Sequence, residues 1–347
     1  MIKLNYDREV FNLRILHLMG WYLNDISDEV LDEVSHQGFD AIQISPLQPT
    51  KDDSSLEWWM DYQPIAFRIG NRHGSKEDLR NLCERSHYHG ISVYGDLVCN
   101  HTANAIDEGM NLSPSESRRL SMLPSDKVDI ILRENPYFWK ERIPIDWDHE
   151  NRYATTHYCM GLPGLNLANY DLQEIVFNLI DAYRDCGLDG LRFDAAKSIA
   201  LPGEANYYGW RDKNGNLEDD CKFWSNLAER YGNTDFVMYG EILFPKTDYL
   251  FPEYQKYIYT LSDTPSGDLD KCIIFAESHD SWLGMGYTKW QDRQRIMEEY
   301  ERRAHNYKNT LFYPRIYPGK WETDDMWKSD EVRRANGKKV KTYSIHY

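Results

Sequence analysis

DGLRFDAAK, at residues 189–197, is the segment from which the fold of this chain can be predicted. Its apolar first half is typical of a short buried strand, and its end carries Arg192 and Asp194. Charged side chains at the ends of successive buried strands are typical of a parallel barrel whose strand ends carry the chemistry. Three other segments repeat the pattern of an apolar lead-in that ends in Asp, Glu or His, namely GDLVCNH at 95–101, YGEIL at 239–243 and FAESHDS at 275–281.

Strand-like and helix-like segments alternate along most of the chain. This alternation predicts a parallel sheet with both faces covered, and eight strands close such a sheet into a (β/α)8 TIM barrel of the α/β class. The predicted strands are residues 13–21, 39–47, 91–99, 188–196, 236–243, 254–261, 271–277 and 309–317. The predicted helices are residues 28–37, 75–90, 172–186, 222–231 and 290–307.

The long stretch between the third and fourth predicted strands interrupts this alternation. Residues 102–166 are rich in Pro, Asn, Asp and Trp and exceed the length of an ordinary connection, which predicts an inserted subdomain. We therefore expect residues 1–101 to form the first part of the barrel. Residues 167–347 are expected to form its second part and a short polar tail, with no β domain at the C-terminal end. The space between the sixth and seventh strands is too short for a full helix.

The composition restricts the class of partner. The formal net charge of −16 argues against nucleic acid and anionic membranes, because both require a basic surface. No run of 18 apolar residues is present, and the first 20 residues lack the pattern of a signal peptide. We expect a cytoplasmic protein, although a secreted protein without its leader gives the same pattern. The 48 aromatic residues fit either packing or stacking on sugars.

The six cysteines carry no metal or redox motif. They are scattered through the chain without a CxxC pair, so neither a zinc site nor a dithiol redox site is predicted. Buried free thiols are the expected state.

The strand ends carry three candidate catalytic groups. Arg192 and Asp194 are two positions apart and therefore point to one face of a strand, where the arginine is expected to lower the pKa of the carboxyl. Such an ionised carboxylate suits a nucleophile, although a structural ion pair has the same spacing. Glu241 ends an apolar run whose surroundings would favour the protonated form of a general acid. Asp280 follows His279, a pair compatible with catalysis, a metal site or a strand cap.

Together these segments resemble the conserved regions of the α-amylase family of glycoside hydrolases, in the order usual for that family. The resemblance extends from about Gly38 to Arg315 and includes WWMDYQPIAFRIGNRHGS at residues 58–75. It is closest to the bacterial saccharifying α-amylases, which share FRFDAAK, YGEIL and ESHD.

The resemblance implies hydrolysis of α-1,4-glucosidic bonds with retention, through a covalent glycosyl-enzyme. Asp194 is the implied nucleophile, Glu241 the general acid and base, and Asp280 the carboxylate that binds sugar hydroxyls. Arg192 is implied to orient Asp194, and Asp96 to support Arg192 from behind. The implied substrate-binding side chains are Tyr62, Gln63, His101, Lys197 and His279, joined by Trp58 and Trp59 if these do not pack internally.

No cofactor is required by this chemistry, but the family often holds a structural calcium between barrel and insert. Its implied ligands here are Asn100, the carbonyl of Ser198, which stands where relatives have His, and an Asp at the position occupied by Gly164. A hard cation needs carboxylate oxygen, so a weakened or absent calcium site is expected unless Asp146 or Asp148 substitutes. Some relatives bind chloride through two arginines and an Asn, and Arg192 and Arg315 are the candidate arginines here. Chloride is nevertheless disfavoured, because Ser278 stands at the Asn position.

The implied substrates are starch, glycogen and maltooligosaccharides. A transglycosylase or another α-glucosidase of the same family would share this machinery, because only the acceptor differs. A non-catalytic, amylase-like carbohydrate-binding protein is an alternative of a different class, and the presence of all three carboxylates argues against it.

Overall fold

Eight parallel strands close into a barrel in the order of the chain, which confirms the predicted TIM barrel. The computed structural model describes residues 12–55, 57–243, 250–284, 293–317, 322–323 and 325–337. The strands are β1 (Arg14–Leu18), β2 (Ala41–Ile44), β3 (Ser92–Leu97), β4 (Gly190–Phe193), β5 (Val237–Glu241), β6 (Tyr259–Ser262), β7 (Cys272–Phe275) and β8 (Asn309–Phe312). A separate two-stranded ladder joins β9 (Ile316–Tyr317) and β10 (Glu322–Thr323).

Helices follow most of the strands, and six of the described helices begin at a side-chain cap. The second helix begins at Ser75, whose hydroxyl accepts a hydrogen bond from the backbone N–H of Asp78. In turn, the Asp78 carboxylate accepts a hydrogen bond from the backbone N–H of Ser75. The helices are α1 (Asp28–His36), α2 (Lys76–Tyr88), α3 (Pro114–Ser121), α4 (Ile130–Arg133), α5 (Arg152–His157), α6 (Tyr170–Arg184), α7 (Glu204–Tyr208), α8 (Phe223–Tyr231), α9 (Phe251–Tyr254), α10 (Arg293–Asn306) and α11 (Asp330–Asn336). No membrane-crossing helix is found among the described residues, since none has the necessary length and apolar character.

Two predicted strands differ from the observed ones. The sixth was expected at residues 254–261, but Tyr254 ends a short helix and β6 begins only at Tyr259. The eighth was expected to continue to residue 317, but β8 ends at Phe312, two residues before Pro314, which lacks the N–H that a ladder requires. The first three residues of the helix predicted at 290–307 lie outside the described residues.

The connection between β6 and β7 is short, as expected. Residues 263–271 contain only one 3-10 turn, at Leu269–Lys271, and no α-helix. Both strands nevertheless pair with their neighbours, so the barrel closes without this helix.

Alternation along each strand separates two apolar cores. Leu16, Val93 and Phe193 face outward into the layer between barrel and helices. Ile15 and Tyr94 belong to a second cluster inside the barrel. All six cysteines are buried and free, as predicted. Nearer the carboxyl ends of the strands the inward-facing side chains are polar, for example Asp96 and Arg192, and they lie directly above this inner apolar cluster.

The long segment between β3 and β4 leaves and rejoins the barrel at one place. His101 pairs with Gly164 in an isolated bridge, and the N–H of Thr102 donates to the carbonyl of Pro163 at 3.1 Å. The insert contains α3 to α5 and several 3-10 turns. The boundaries 102 and 166 remain predictions, and residues 1–11 and 338–347 of the two predicted barrel parts lie outside the described residues.

Close strand packing makes Gly190 a sensitive position. A Cβ there would overlap the carbonyl oxygen of Val237 and lie 2.9 Å from Cδ1 of Tyr94, whereas one at Gly90 meets open space. We expect Gly190→Ala to lower the free energy of unfolding by about 3 kcal/mol, because the overlap is with backbone. Gly90→Ala, at φ +71°, should lower it by only about 1 kcal/mol. Urea unfolding followed by tryptophan fluorescence compares the two, and equal losses would contradict this packing.

Candidate active site

The predicted acidic residues meet at the carboxyl ends of the barrel strands. Asp96 lies on β3 directly opposite Arg192 on β4, and both side chains point inward. Asp194 follows β4 by one residue, Glu241 ends β5, and Asp280 begins the helical turn after β7. Parallel strands present their carboxyl ends at one face of a barrel, so residues far apart in sequence share one site.

One buried guanidinium joins three of these carboxylates. Nη1 of Arg192 donates to both oxygens of Asp96, at 2.8 and 2.7 Å, and to Oδ1 of Asp194 at 3.0 Å. Nη2 lies 2.7 Å from Oε1 of Glu241. The arginine is 1% exposed, so solvent does not weaken these charge-assisted bonds. Arg192 therefore holds Asp194 and Glu241 side by side.

The backbone after β4 brings Glu241 next to Asp194. The N–H of Asp194 donates to the carbonyl of Leu97 at 3.0 Å, and the N–H of Ala195 donates to Oε2 of Glu241 at 3.1 Å. Ala195 has φ of +46°, and among the described non-glycine residues it alone has a positive φ. This left-handed conformation costs an alanine about 1 kcal/mol, and it directs the amide toward Glu241.

The surroundings of Glu241 differ from the expectation. We expected an apolar environment, but one carboxylate oxygen pairs with Arg192 and the other accepts from Ala195. The sequence showed the apolar run before Glu241 but not the arginine that reaches it from the neighbouring strand. Its side chain is 14% exposed at the floor of the site.

The electrostatic expectation for Asp194 is also corrected. Burial raises the pKa of Asp194, and the ion pair with Arg192 opposes this rise without reversing it. Burial and the neighbouring Glu241 raise the pKa of Asp280 well above its usual range, with Arg192 again opposing. The single cation therefore does not offset the cost of burial at these two positions, and Asp194 and Asp280 retain their protons to a higher pH than isolated side chains would.

The two predicted histidines are buried and uncharged. Burial lowers the pKa of His101 to about 4 and that of His279 well below its usual range. Nε2 of His101 donates to the carbonyl of Tyr62 at 3.0 Å and lies 3.9 Å from Oδ2 of Asp194. The His279 ring stacks on Tyr62 at 5.2 Å and 4°, while the Tyr62 hydroxyl donates to Asp96 at 3.0 Å. Tyr62 thus links both histidines to the carboxylate cluster.

A buried ion pair fixes the turn that carries the aromatic residues. The 3-10 turn Trp58–Tyr62 contains Asp61, whose carboxylate lies 2.7 Å from Nη2 of Arg72 and 2.8 Å from Nε2 of His73. Asp61 is completely buried, so its charge requires these partners. This pair was not predicted from the sequence, although all three residues lie within the segment 58–75.

These residues line a cavity of about 790 Å³ that is open to solvent. Of the predicted site residues, Arg192 and Asp96 lie beneath the floor and Asn100 lies elsewhere, as described below. Trp59 and Trp147 are each 42% exposed and form part of the walls. The predicted residues that line the cavity are Trp58, Trp59, Tyr62, Gln63, His101, Asp194, Lys197, Glu241, His279 and Asp280. The lining residues that were not predicted include Asn104, Trp147, Glu150, Met160, Leu162, Ser198 and Leu243.

Lys197 connects the barrel to the insert at the edge of the cavity. Its amino group lies 5.1 Å from the ring centroid of Trp147, a residue of the insert, in a cation–π contact. Lys197 is mostly buried. Trp147 belongs to a stretch of sequence without periodicity, so its position in the cavity wall could not be predicted from the sequence.

The residues present do not fit the structural calcium that the resemblance implies. The amino group of Lys140 lies between the two expected oxygen ligands, 2.6 Å from Oδ1 of Asn100 and 2.6 Å from the carbonyl oxygen of Ser198. Among the described residues no group of three or more His, Cys, Asp or Glu could hold a metal ion. Asp146, offered as a substitute, is exposed and bonds to His149 of its own turn. The amino group of Lys140 thus occupies the position between these two oxygens.

The residues also do not fit chloride. Arg315, a candidate ligand, forms a buried two-bond pair with Glu277, at 2.6 and 2.9 Å. The other candidate, Arg192, already faces three carboxylates. The protein's own carboxylates therefore supply the negative charge for both arginines.

Comparison of the sequence with known proteins finds alpha-amylases. The family model for the catalytic domain of alpha-amylase matches residues 23–264. An alpha-amylase of Clostridium acetobutylicum is 30% identical over 306 residues, which are 80% of this chain and 37% of that protein. An alpha-amylase of Butyrivibrio fibrisolvens is 24% identical over 334 residues, which are 80% of this chain and 32% of that protein. The chain thus spans about a third of the length of these two relatives.

Solved structures share the fold. Alpha-amylase I of Eisenia fetida superimposes with a TM-score of 0.63 at 15% identity, over 93% of this chain and 77% of that one. An Anoxybacillus alpha-amylase gives a TM-score of 0.65 at 15% identity, over 97% of this chain and 80% of that one. At such identities the likeness shows the fold alone, whereas the family model matches more than half of this chain in sequence. The chain belongs to the alpha-amylase family.

Proposed function

We propose that this chain is a retaining α-glucan hydrolase that cleaves α-1,4-glucosidic bonds in starch, glycogen or maltooligosaccharides. The observation that carries the proposal is the placement of Asp194 and Glu241 on one guanidinium at the floor of an open cavity. Two adjacent carboxyl groups, one able to attack and one able to move a proton, are the requirement for hydrolysis with retention. Family membership supports the same class of reaction.

In the first step Asp194 attacks the anomeric carbon of the bound sugar. Glu241 transfers a proton to the glycosidic oxygen, and the electrons of the breaking C–O bond leave with that oxygen. Arg192 contacts both carboxyl groups and so compensates charge as it moves from one to the other. The product of this step is a glycosyl ester of Asp194 and a shortened glucan with a free hydroxyl.

In the second step water replaces the aspartate. Glu241, now ionised, accepts a proton from water as the water oxygen attacks the same carbon, and the carboxylate of Asp194 leaves. Two displacements at one carbon restore its original configuration. The Ala195 amide, at 3.1 Å from Glu241, keeps this carboxylate in place in both protonation states.

The lining of the cavity suits a carbohydrate. Gln63 and His279 line the cavity, and Oε1 of Gln63 and Nδ1 of His279 are buried without a hydrogen-bond partner among the described residues. Trp58 and Trp59, together with Trp147 on the insert, offer aromatic faces for the apolar side of a pyranose. The exposed walls favour internal segments of a long chain over a small ligand.

The direct test is release of reducing sugar from soluble starch. We expect Asp194→Asn to lower the rate by about 10⁴-fold or more, because an amide cannot form the ester. Asp270→Asn is the matched control, since Asp270 pairs with Lys308 at 2.5 Å near the opposite end of the barrel. A folded Asp194→Asn protein that retains the parent rate would refute the proposal. Products from maltoheptaose with and without added glucose show whether water or sugar is the acceptor.

A second prediction concerns the proton that Glu241 transfers. Glu241→Gln should lower the rate on maltooligosaccharides by about 10²–10⁴-fold, because the leaving oxygen is no longer protonated. The first step on α-maltosyl fluoride should be nearly unaffected, since fluoride leaves without a proton. Stopped-flow release of fluoride measures this step. An equal loss on both substrates would show that Glu241 is not the acid.

The pH dependence follows from the burial of Asp194. The nucleophile must be ionised, and burial raises its pKa, so kcat/KM should fall on acidification at a pH above the value of about 3.9 for an ordinary Asp. Burial lowers the pKa values of His101 and His279, so these histidines should cause no change in kcat/KM between pH 5 and 8. Initial rates from pH 3 to 9 give the profile, and Glu253→Gln, a surface change, is the control. An acid midpoint at or below about 4 contradicts the burial effect.

A further inference from the structure

Lys140 lies where the insert meets the barrel. Its amino group donates to Oδ1 of Asn100, just after β3, and to the carbonyl oxygen of Ser198, just after β4, both at 2.6 Å. Asn100 and Ser198 are themselves buried. One side chain from the insert therefore ties together the two loops that follow the central strands of the site.

The space for the Lys140 side chain depends on Gly164. A Cβ at position 164 would lie 2.7 Å from Cδ and 3.2 Å from Cγ of Lys140, which is closer than normal packing permits. The backbone N–H of Lys140 also donates to the carbonyl of Gly164 at 2.9 Å. A carboxylate-bearing residue at 164 would therefore displace the Lys140 side chain from its observed position. The Asp expected as a calcium ligand is therefore replaced by Gly164 at the point where the Lys140 side chain packs.

Arg152 holds the same loop from the other side. This arginine of the insert donates to the carbonyl of Ile199 at 3.2 Å and to the carbonyl of Lys197. It also pairs with the buried carboxylate of Glu204 at 2.6 and 2.8 Å. The carbonyls of residues 197, 198 and 199 therefore all accept hydrogen bonds from cationic side chains of the insert. This loop carries Lys197 at the edge of the cavity.

We propose that the amino group of Lys140 replaces a structural calcium ion in this chain, so that the junction between insert and barrel needs no divalent cation. Its acceptors are the two oxygens at which a metal would be expected, and Gly164 supplies the room that the longer organic cation requires. The inference concerns the stability of the junction and does not depend on the proposed hydrolysis.

The first arm of the test uses the unaltered protein. The protein is dialysed against EDTA and then against metal-free buffer, and its Tm is measured with and without millimolar CaCl₂. We expect the Tm to be the same before and after chelation and on adding calcium. Calorimetric titration with CaCl₂ should detect no binding. A fall in Tm on chelation that calcium reverses would overturn the proposal.

The second arm exchanges the cations. Lys140→Met keeps the length of the side chain but leaves two buried oxygens without a donor, which should lower the Tm on the order of 5 °C. Lys127→Met is the control, because Lys127 lies in the same insert but donates to a single carbonyl, that of Lys51, at 3.0 Å. Lys140→Met with a Tm no lower than this control would also overturn the proposal.

The double variant Lys140→Ala/Gly164→Asp reverses the replacement. The shorter residue removes Cγ and Cδ from the space beside position 164, and the new carboxylate adds a charged ligand to Asn100 and Ser198. We expect calcium to raise the Tm of this variant and not that of the unaltered protein. A rise of the same size in both proteins would show that calcium acts elsewhere, contrary to the proposal.

Discussion

The site depends on one buried arginine that three carboxylates share. Burying a guanidinium and several carboxylates is costly unless each charge finds partners. The opposed positions of Asp96 and Arg192 on neighbouring strands supply the first partner. Asp194 and Glu241 then complete the set from the ends of β4 and β5. Because this pairing rests on strand register, the geometry of the site is a property of the barrel itself.

The same cluster raises the pKa values of Asp194 and Asp280. Burial is the main cause for both, the neighbouring carboxylates add to the rise at Asp280, and Arg192 opposes it at both. Around this cluster, side chains of the protein occupy the positions at which a calcium or chloride ion would be expected from the resemblance. Lys140 and Arg152 bind backbone carbonyls after β4, and Glu277 neutralises Arg315.

The sequence was sufficient to predict the features that repeat locally. A buried run that ends in a charged residue is recognisable in isolation, which is why the barrel and the strand-end acids could be predicted. The start of β6 could not, because an apolar run of aromatic residues fits a helix as well as a strand. Trp147 could not be placed either, because its short 3-10 turn lies in a stretch of sequence without periodicity. Lys140 donates hydrogen bonds to residues 40 and 58 positions away in the sequence, and no local sequence pattern predicts contacts over such separations.

The proposed mechanism requires that Asp194 becomes covalently attached to the sugar. It also requires that Glu241 donates a proton to the leaving oxygen and then accepts one from water. The most direct measurement incubates the Glu241→Gln protein with α-maltosyl fluoride, followed by acid quenching, peptic digestion and mass spectrometry. Without its base the second step slows, so the ester should accumulate as a maltosyl mass increase on the peptide that contains residues 189–197. A label on another carboxylate, or fluoride release with no labelled peptide and an inverted sugar product, would contradict the account.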